Sequence, residues 1–234
     1  MDIMTGLYLI SGVVIVPLII CSLYIHNRVN QLFKEYSKKP VKKGITGIRL
    51  ARTMLNSAGL NDIVIEEVGV ALTDHYDPRQ KTVKLSRTVA RSTSIAAIGI
   101  AAHEAAHAIQ DGTGYPPVKL RNSIAPIVEK AGYLVLPLLF FGILLSRIAL
   151  SSFFIDLALF LFLGIVLFYL VTLPVELEAS SRAIRYIKDN GIADGAEELE
   201  GVRKVLTAAA LTYIIATALA VVQFLSLLGM YRRK

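Results

Sequence analysis

The stretch Ser94-Ile-Ala-Ala-Ile-Gly-Ile-Ala-Ala-His-Glu-Ala-Ala-His-Ala-Ile-Gln110 contains two of the four histidines in this 234-residue chain. Alanine is the strongest helix former and a hydroxyl side chain at 93 or 94 is a good N-cap, so the stretch predicts a helix over 94–110. Residues four apart share one face of a helix. His103 and His107 can therefore bind one metal ion, with Glu104 next to them.

This pattern of residue types indicates zinc chemistry. Zinc binds neutral imidazole, and a catalytic site keeps one position open for water, whose pKa falls from 15.7 to about 7. A carboxylate such as Glu104 can take the proton of that water during attack on a peptide carbonyl and pass it to the leaving amine. The sequence thus predicts one Zn²⁺ ion and a zinc metallopeptidase with Glu104 as general base.

Two acidic residues compete for the role of third metal ligand. Glu129 lies 22 residues after His107, but it adjoins Lys130, with which a surface ion pair is the simpler role. Glu176 follows two predicted membrane crossings, which return the chain to the side of the histidines. We therefore favour Glu176 as the ligand.

The surroundings of Glu176 predict the start of a helix. Pro174 suits the first turn of a helix. Glu176 and Ser180 would then share a face, while Glu178 would point away and pair with Arg182 four residues later.

Four apolar stretches predict a mainly α-helical, multi-pass membrane protein. Apolar residues make up 54% of the chain, and about 20 in succession are needed to cross a bilayer as a helix. The stretches are 6–25, 131–150, 153–173 and 205–229. Arg147 and Asp156 are expected to flank a turn at Ser151 and Ser152. For 131–145 alone, a buried helix of a soluble core is the alternative.

These stretches divide the chain into five segments. They are an N-terminal transmembrane anchor (1–25), a lobe (26–130), a transmembrane hairpin (131–173), a segment with the third ligand (174–204), and a C-terminal transmembrane helix with a basic tail (205–234). Residues 26–130 carry 16 of the 25 Lys and Arg, so the positive-inside rule places the lobe and the site in the cytoplasm. The three basic residues of the tail oppose this orientation.

The lobe is expected to be a small α+β, zincin-like unit around the helix with the two histidines. Apolar spacing predicts a helix over 46–58, and β-branched runs predict strands over 62–70 and 82–86, with a turn at 77–80. The strand 82–86 is a candidate edge strand that pairs with an extended peptide.

Hydrolysis also needs a donor for the oxyanion of the tetrahedral intermediate. The candidates for this role or for support of a ligand are His75, Tyr76, Tyr115, Arg121, Ser180, Arg182 and Arg185. For His75 and Tyr76, a structural role in the turn is equally open.

Three stretches carry a resemblance to a known family. They are Leu72-Thr-Asp-His-Tyr-Asp-Pro78, Ala97-Ile-Gly-Ile-Ala-Ala-His-Glu-Ala-Ala-His-Ala-Ile-Gln110 and Leu173-Pro-Val-Glu-Leu-Glu-Ala-Ser180. The chain resembles the YugP-like family of prokaryotic membrane zinc metallopeptidases over nearly its whole length. It is more distantly similar to HtpX-type and Ste24-type membrane proteases.

The resemblance implies a gluzincin-like, zinc-dependent endopeptidase. In the more distant proteases the ligand begins a Glu-x-x-Ala-Asp pattern, which Glu176 and Ala179 match. Ser180 stands where that pattern has Asp, so the resemblance leaves the role of position 180 open.

Two other functions remain as alternatives. An intramembrane protease would take an Asp from a later membrane helix, and Asp156 is the candidate, although it is expected near the membrane surface. A scaffold with a structural metal would need a fourth protein ligand.

The expected partners are a peptide or membrane-protein substrate and the lipid bilayer. Nucleic acid is not expected, and the sequence carries no signal for an oligomer.

Overall fold

The computed structural model describes residues 3–70, 73–148 and 150–231. The described chain is mainly helical, with one small sheet. The helices are α1 (Ile3–Tyr36), α2 (Gly47–Ser57), α3 (Arg87–Ala90), α4 (Ile95–Gly112), α5 (Pro116–Leu144), α6 (Leu150–Asp189) and α7 (Ala196–Tyr231). The strands are β1 (Val64–Val68), β2 (His75–Asp77) and β3 (Thr82–Ser86).

The chain forms two compact units. One unit comprises Met1–Tyr24, Leu120–Leu173 and Tyr213–Lys234, and we call it the apolar helix unit. The other comprises Ile25–Lys119 and Pro174–Thr212. It joins most of the lobe predicted over 26–130 to the predicted segment 174–204, and from here on the name lobe means this unit.

Four helices of the described chain are long and apolar enough to cross a membrane, which confirms the predicted number. They are Gly12–Tyr36, Pro116–Leu144, Leu150–Asp189 and Ala196–Tyr231. In the apolar helix unit, large apolar side chains such as Val13, Leu136 and Phe160 are more than 70% exposed. Such exposure is unusual for a soluble protein and suits contact with lipid. The exposed Leu136 also argues against a buried soluble helix over 131–145.

The connection between α5 and α6 lies earlier than predicted. The helix α5 begins at Pro116 and ends at Leu144, so it gains its length before residue 131 and not by running to Leu150. Ser151, expected in the turn, lies buried in the first turn of α6, where its Oγ donates to Gly142 O at 2.6 Å. That carbonyl is one of the last four of α5, which have no partner within their own helix.

The sheet of the lobe has the order β1-β3-β2. The strand β1 pairs parallel with β3 (Val64 opposite Thr82), and β2 pairs antiparallel with β3 (Tyr76 opposite Val83). The strands expected within 62–70 and at 82–86 are confirmed as β1 and β3. The helix expected over 46–58 is confirmed as α2, whereas β2 was not predicted. The expectation that 82–86 is an edge strand is wrong, because β3 is the central strand. The outer edges of the sheet belong to β1 and β2.

The helix α4 lies in the core of the lobe. Its seven alanines are each at most 2% exposed, and they pack in one cluster with α2, β3, α6 and α7. Small side chains allow close approach from several sides. Gly99 shows this, since a Cβ there would lie 3.6 Å from a methyl group of Val202. The residues of the histidine motif are therefore held in a tightly packed environment.

The expectation that a helix starts at Pro174 is also wrong. The helix α6 runs without interruption from Leu150 to Asp189, with Pro174 inside it. A proline inside a helix removes one backbone hydrogen bond, which apolar helices tolerate when neighbouring groups satisfy the freed carbonyl. The apolar segment and Glu176 are thus on one helix.

Candidate metal centre

The helix α4 positions the two histidines as predicted. It starts after Ser94, whose Oγ accepts a hydrogen bond from Ala97 N at 3.3 Å, so the predicted N-cap is confirmed. The rings of His103 and His107 lie on one face, with their centroids 4.6 Å apart. Their Nε2 atoms are 3.1 Å from each other.

The helix α6 brings the carboxylate of Glu176 to the same point. Its Oε2 lies 3.3 Å from His103 Nε2 and 3.5 Å from His107 Nε2. Glu176 and His107 are buried and His103 is nearly so. Among the residues that the structure describes, these three form the group that could hold a metal ion.

The spacing of the three atoms fits zinc. Zinc–nitrogen and zinc–oxygen bonds of about 2.0–2.2 Å in a tetrahedron place neighbouring ligand atoms roughly 3.3–3.6 Å apart. The observed separations of 3.1, 3.3 and 3.5 Å are close to this range. Two imidazole nitrogens and one carboxylate oxygen are also a donor set of catalytic zinc sites, which leave a fourth position open.

Each imidazole is held by a partner on its other nitrogen. His103 Nδ1 lies 3.2 Å from Ser180 Oγ on α6, and His107 Nδ1 lies 3.0 Å from Gln110 Oε1. Gln110 Nε2 in turn donates to Val175 O at 2.8 Å and to Glu178 Oε2 at 2.6 Å. Metal-binding histidines usually have such a partner, which orients the ring.

Gln110 was not among the residues predicted for the site. Helical spacing could have predicted its contact with His107, because Gln110 lies three residues later and so shares that face of α4. Its partners on α6 lie 65 and 68 residues away, and no sequence spacing indicates them.

Glu104 is 8% exposed and lies beside the cluster. Burial raises the pKa of its carboxyl to about 7; the charge of Glu176 adds to this rise, and His103 opposes it. Asp74, just before β2, and His75, its first residue, also influence the carboxyl electrostatically. A carboxyl group that titrates near neutral pH is suited to proton transfer.

The hydroxyl of Tyr76 is occupied by a structural contact. It donates to Asp111 Oδ2 at 3.0 Å, and burial together with this bond raises the pKa of Tyr76. His75 is exposed, with Nδ1 2.7 Å from Thr73 O. The bond to Asp111 favours a structural role for Tyr76.

The predicted pairing of Glu178 with Arg182 is present. Arg182 Nη2 donates to Glu178 Oε1 at 2.6 Å and Arg182 Nε donates to the same oxygen at 3.0 Å. Arg185 is exposed on the same helix, and Tyr115 is half-buried after the end of α4.

Three other candidates lie in the apolar helix unit and outside the group that could hold a metal. Glu129 lines a cavity of about 390 Å³ in that unit, together with Tyr169. Arg121 donates to Asn122 Oδ1 at 3.4 Å. Asp156 lies near the start of α6.

The fold has four helices long and apolar enough to cross a membrane, and the site has three side chains that could hold a metal ion, as in zinc metallopeptidases. The chain belongs to the family described as "Putative neutral zinc metallopeptidase", whose model matches residues 11–232. It is 44% identical over 199 residues to "Putative membrane protease YugP" of Bacillus subtilis (strain 168), an alignment that covers 85% of this chain and 86% of that protein. No solved structure matches the chain. The family resemblance seen in the sequence is confirmed.

Proposed function

We propose that the protein is a membrane-embedded zinc endopeptidase with its site on the cytoplasmic side. In this proposal His103, His107 and Glu176 hold one Zn²⁺ ion and Glu104 is the general base. The observation that carries the proposal is the convergence of three ligand atoms, 3.1–3.5 Å apart, beside a buried carboxyl group.

When bound, zinc would supply a Lewis acid that lowers the pKa of a water and polarises a peptide carbonyl. The chain's own residues do the rest. Glu104 accepts a proton at its carboxylate and donates it to the leaving amine. In the metal-free chain, burial raises the pKa of this carboxyl to about 7, so its environment favours uptake of a proton. Ser180 orients the ring of His103 through Nδ1.

The lobe offers an edge to which an extended substrate can pair. Because β3 is paired on both sides, the open edges of the sheet are those of β1 and β2, and we take the edge of β2 as the one next to the site. Asp74 and His75, at the start of this strand, are close enough to Glu104 to influence its charge. We therefore expect a peptide, or an extended part of a membrane protein, to add to β2 as a further strand.

The test is zinc analysis and a proteolysis assay on the detergent-purified chain. Glu104→Gln is expected to keep one zinc ion and to lose peptide hydrolysis, whereas Glu176→Ala is expected to lose both. Glu129→Gln, which alters the competing acid, is the matched control and keeps both. Peptide hydrolysis by a clean preparation of Glu104→Gln would refute the assignment, and so would full zinc retention by Glu176→Ala.

A further inference from the structure

We propose that Gln110 is a positioning residue of the metal centre. It holds His107 in the tautomer whose Nε2 can bind a metal. It also donates hydrogen bonds to residues 175 and 178 of α6, on both sides of Glu176. This assignment rests on the proposed metal site. It concerns a fully buried glutamine whose three contacts all lead to that site.

The orientation of the Gln110 amide is fixed by its neighbours. Val175 O is a backbone carbonyl and can only accept hydrogen bonds. The carboxylate of Glu178 is paired with Arg182 and accepts as well. The NH₂ group of Gln110 must therefore face α6, because the opposite orientation would bring three acceptor oxygens together in a buried place.

This orientation determines the tautomer of His107. With both amide hydrogens directed at α6, Oε1 is the atom that faces His107 Nδ1, at 3.0 Å. An amide oxygen only accepts, so Nδ1 must carry the hydrogen. The lone pair of Nε2 is then directed at the point shared with His103 Nε2 and Glu176 Oε2.

The same amide also sets the register between the two ligand-bearing helices. Its Nε2 bonds to residue 175 and residue 178 of α6, which flank the ligand at 176. Glu178 is held in turn by two bonds from Arg182. Gln110 thus joins α4 to the turn of α6 that carries the carboxylate.

At Nδ1 of His103, the described residues place no equivalent constraint. Its Nδ1 faces the hydroxyl of Ser180, which can either donate or accept. Ser180 therefore orients the ring of His103 without selecting its tautomer. Gln110, in contrast, selects the tautomer of His107.

The first experiment compares zinc affinities by competition with a chelating dye. Gln110→Leu introduces an apolar side chain of similar size and loses all three hydrogen bonds. It is expected to bind zinc about 10–100-fold more weakly, the usual cost of losing the partner of a metal-binding histidine. Ile98→Ala, another fully buried position of α4, is the control for loss of packing, with a lower Tm and unchanged zinc affinity. Equal zinc affinity of Gln110→Leu and wild type would overturn the assignment.

A second measurement does not depend on a folded variant. Nitrogen-15 NMR of the metal-free wild-type chain, labelled at its four histidines, is expected to show His107 protonated at Nδ1 above the pH at which it becomes neutral. Protonation at Nε2 would overturn the assignment even if zinc binds. If wild type binds no zinc while His107 is held as the Nδ1–H tautomer, the proposed metal site fails and Gln110 is left with a structural role only.

Discussion

Replacing Glu104 by glutamine should stabilise the metal-free protein at neutral pH. The carboxyl has a folded-state pKa of about 7, against an ordinary value of 4.5, because it is buried. Between these two pH values the folded chain retains a proton that the unfolded chain has released. The free energy of unfolding therefore falls as the pH rises from about 4.5 to 7.

The size of this effect follows from the two pKa values. Each unit of difference between the two pKa values corresponds to about 1.4 kcal/mol. Above pH 7, ionised Glu104 therefore lowers the free energy of unfolding by roughly 3 kcal/mol. Glutamine has nearly the same shape and does not ionise, so Glu104→Gln removes this cost. For a chain of this length, roughly 3 kcal/mol corresponds to a rise in Tm of about 6–12 °C.

The assay is thermal unfolding followed by circular dichroism, in detergent with a chelator, at pH 4.5 and pH 8. The gain in Tm of Glu104→Gln over wild type is expected at pH 8 and should nearly vanish at pH 4.5. Glu66→Gln, at an exposed position of β1, controls for the loss of one carboxylate. An equal gain at both pH values, or none at pH 8, would show that burial of the charge does not cause the effect.

Two further substitutions test other parts of the lobe. Ser94→Ala removes the N-cap of α4 and is expected to lower the free energy of unfolding of the metal-free chain by about 1 kcal/mol. An unchanged free energy of unfolding would mean that the bond to Ala97 N does not stabilise the helix. Tyr76→Phe is expected to keep most of the hydrolytic rate and to cost about 1 kcal/mol of stability, because its hydroxyl is occupied by Asp111. A thousandfold loss of rate at unchanged stability would instead assign Tyr76 to the oxyanion.

The parts of the fold that depend on local sequence were predictable. The helix α4 has its N-cap, its alanines and its histidine spacing within one continuous stretch, and the pairing of Glu178 with Arg182 follows from helical spacing alone. The four apolar helices followed from length and composition.

The parts that depend on distant partners were not predictable. The strand β2 has three residues and no apolar alternation, so its pairing with β3 gives no periodic signal. The central place of β3 depends on that pairing, so the sequence alone predicts an edge strand there. Pro174 favours a helix start by its residue type, although an apolar helix is predicted directly before it. That α6 continues through Pro174 depends on neighbouring groups outside the local sequence. The role of Gln110 depends on a carbonyl of α6.

The alanine-built α4 has a consequence for mutational scanning of this protein. Enlarging a side chain in a packed core commonly costs about 1–3 kcal/mol, and changing a helical alanine to glycine costs about 1 kcal/mol. The seven buried alanines of α4 thus have little tolerance in either direction. A scan scored by activity would mark a continuous band of sensitive positions around the histidines, most of which report packing. Only a parallel measurement of protein abundance would separate the few that carry the chemistry.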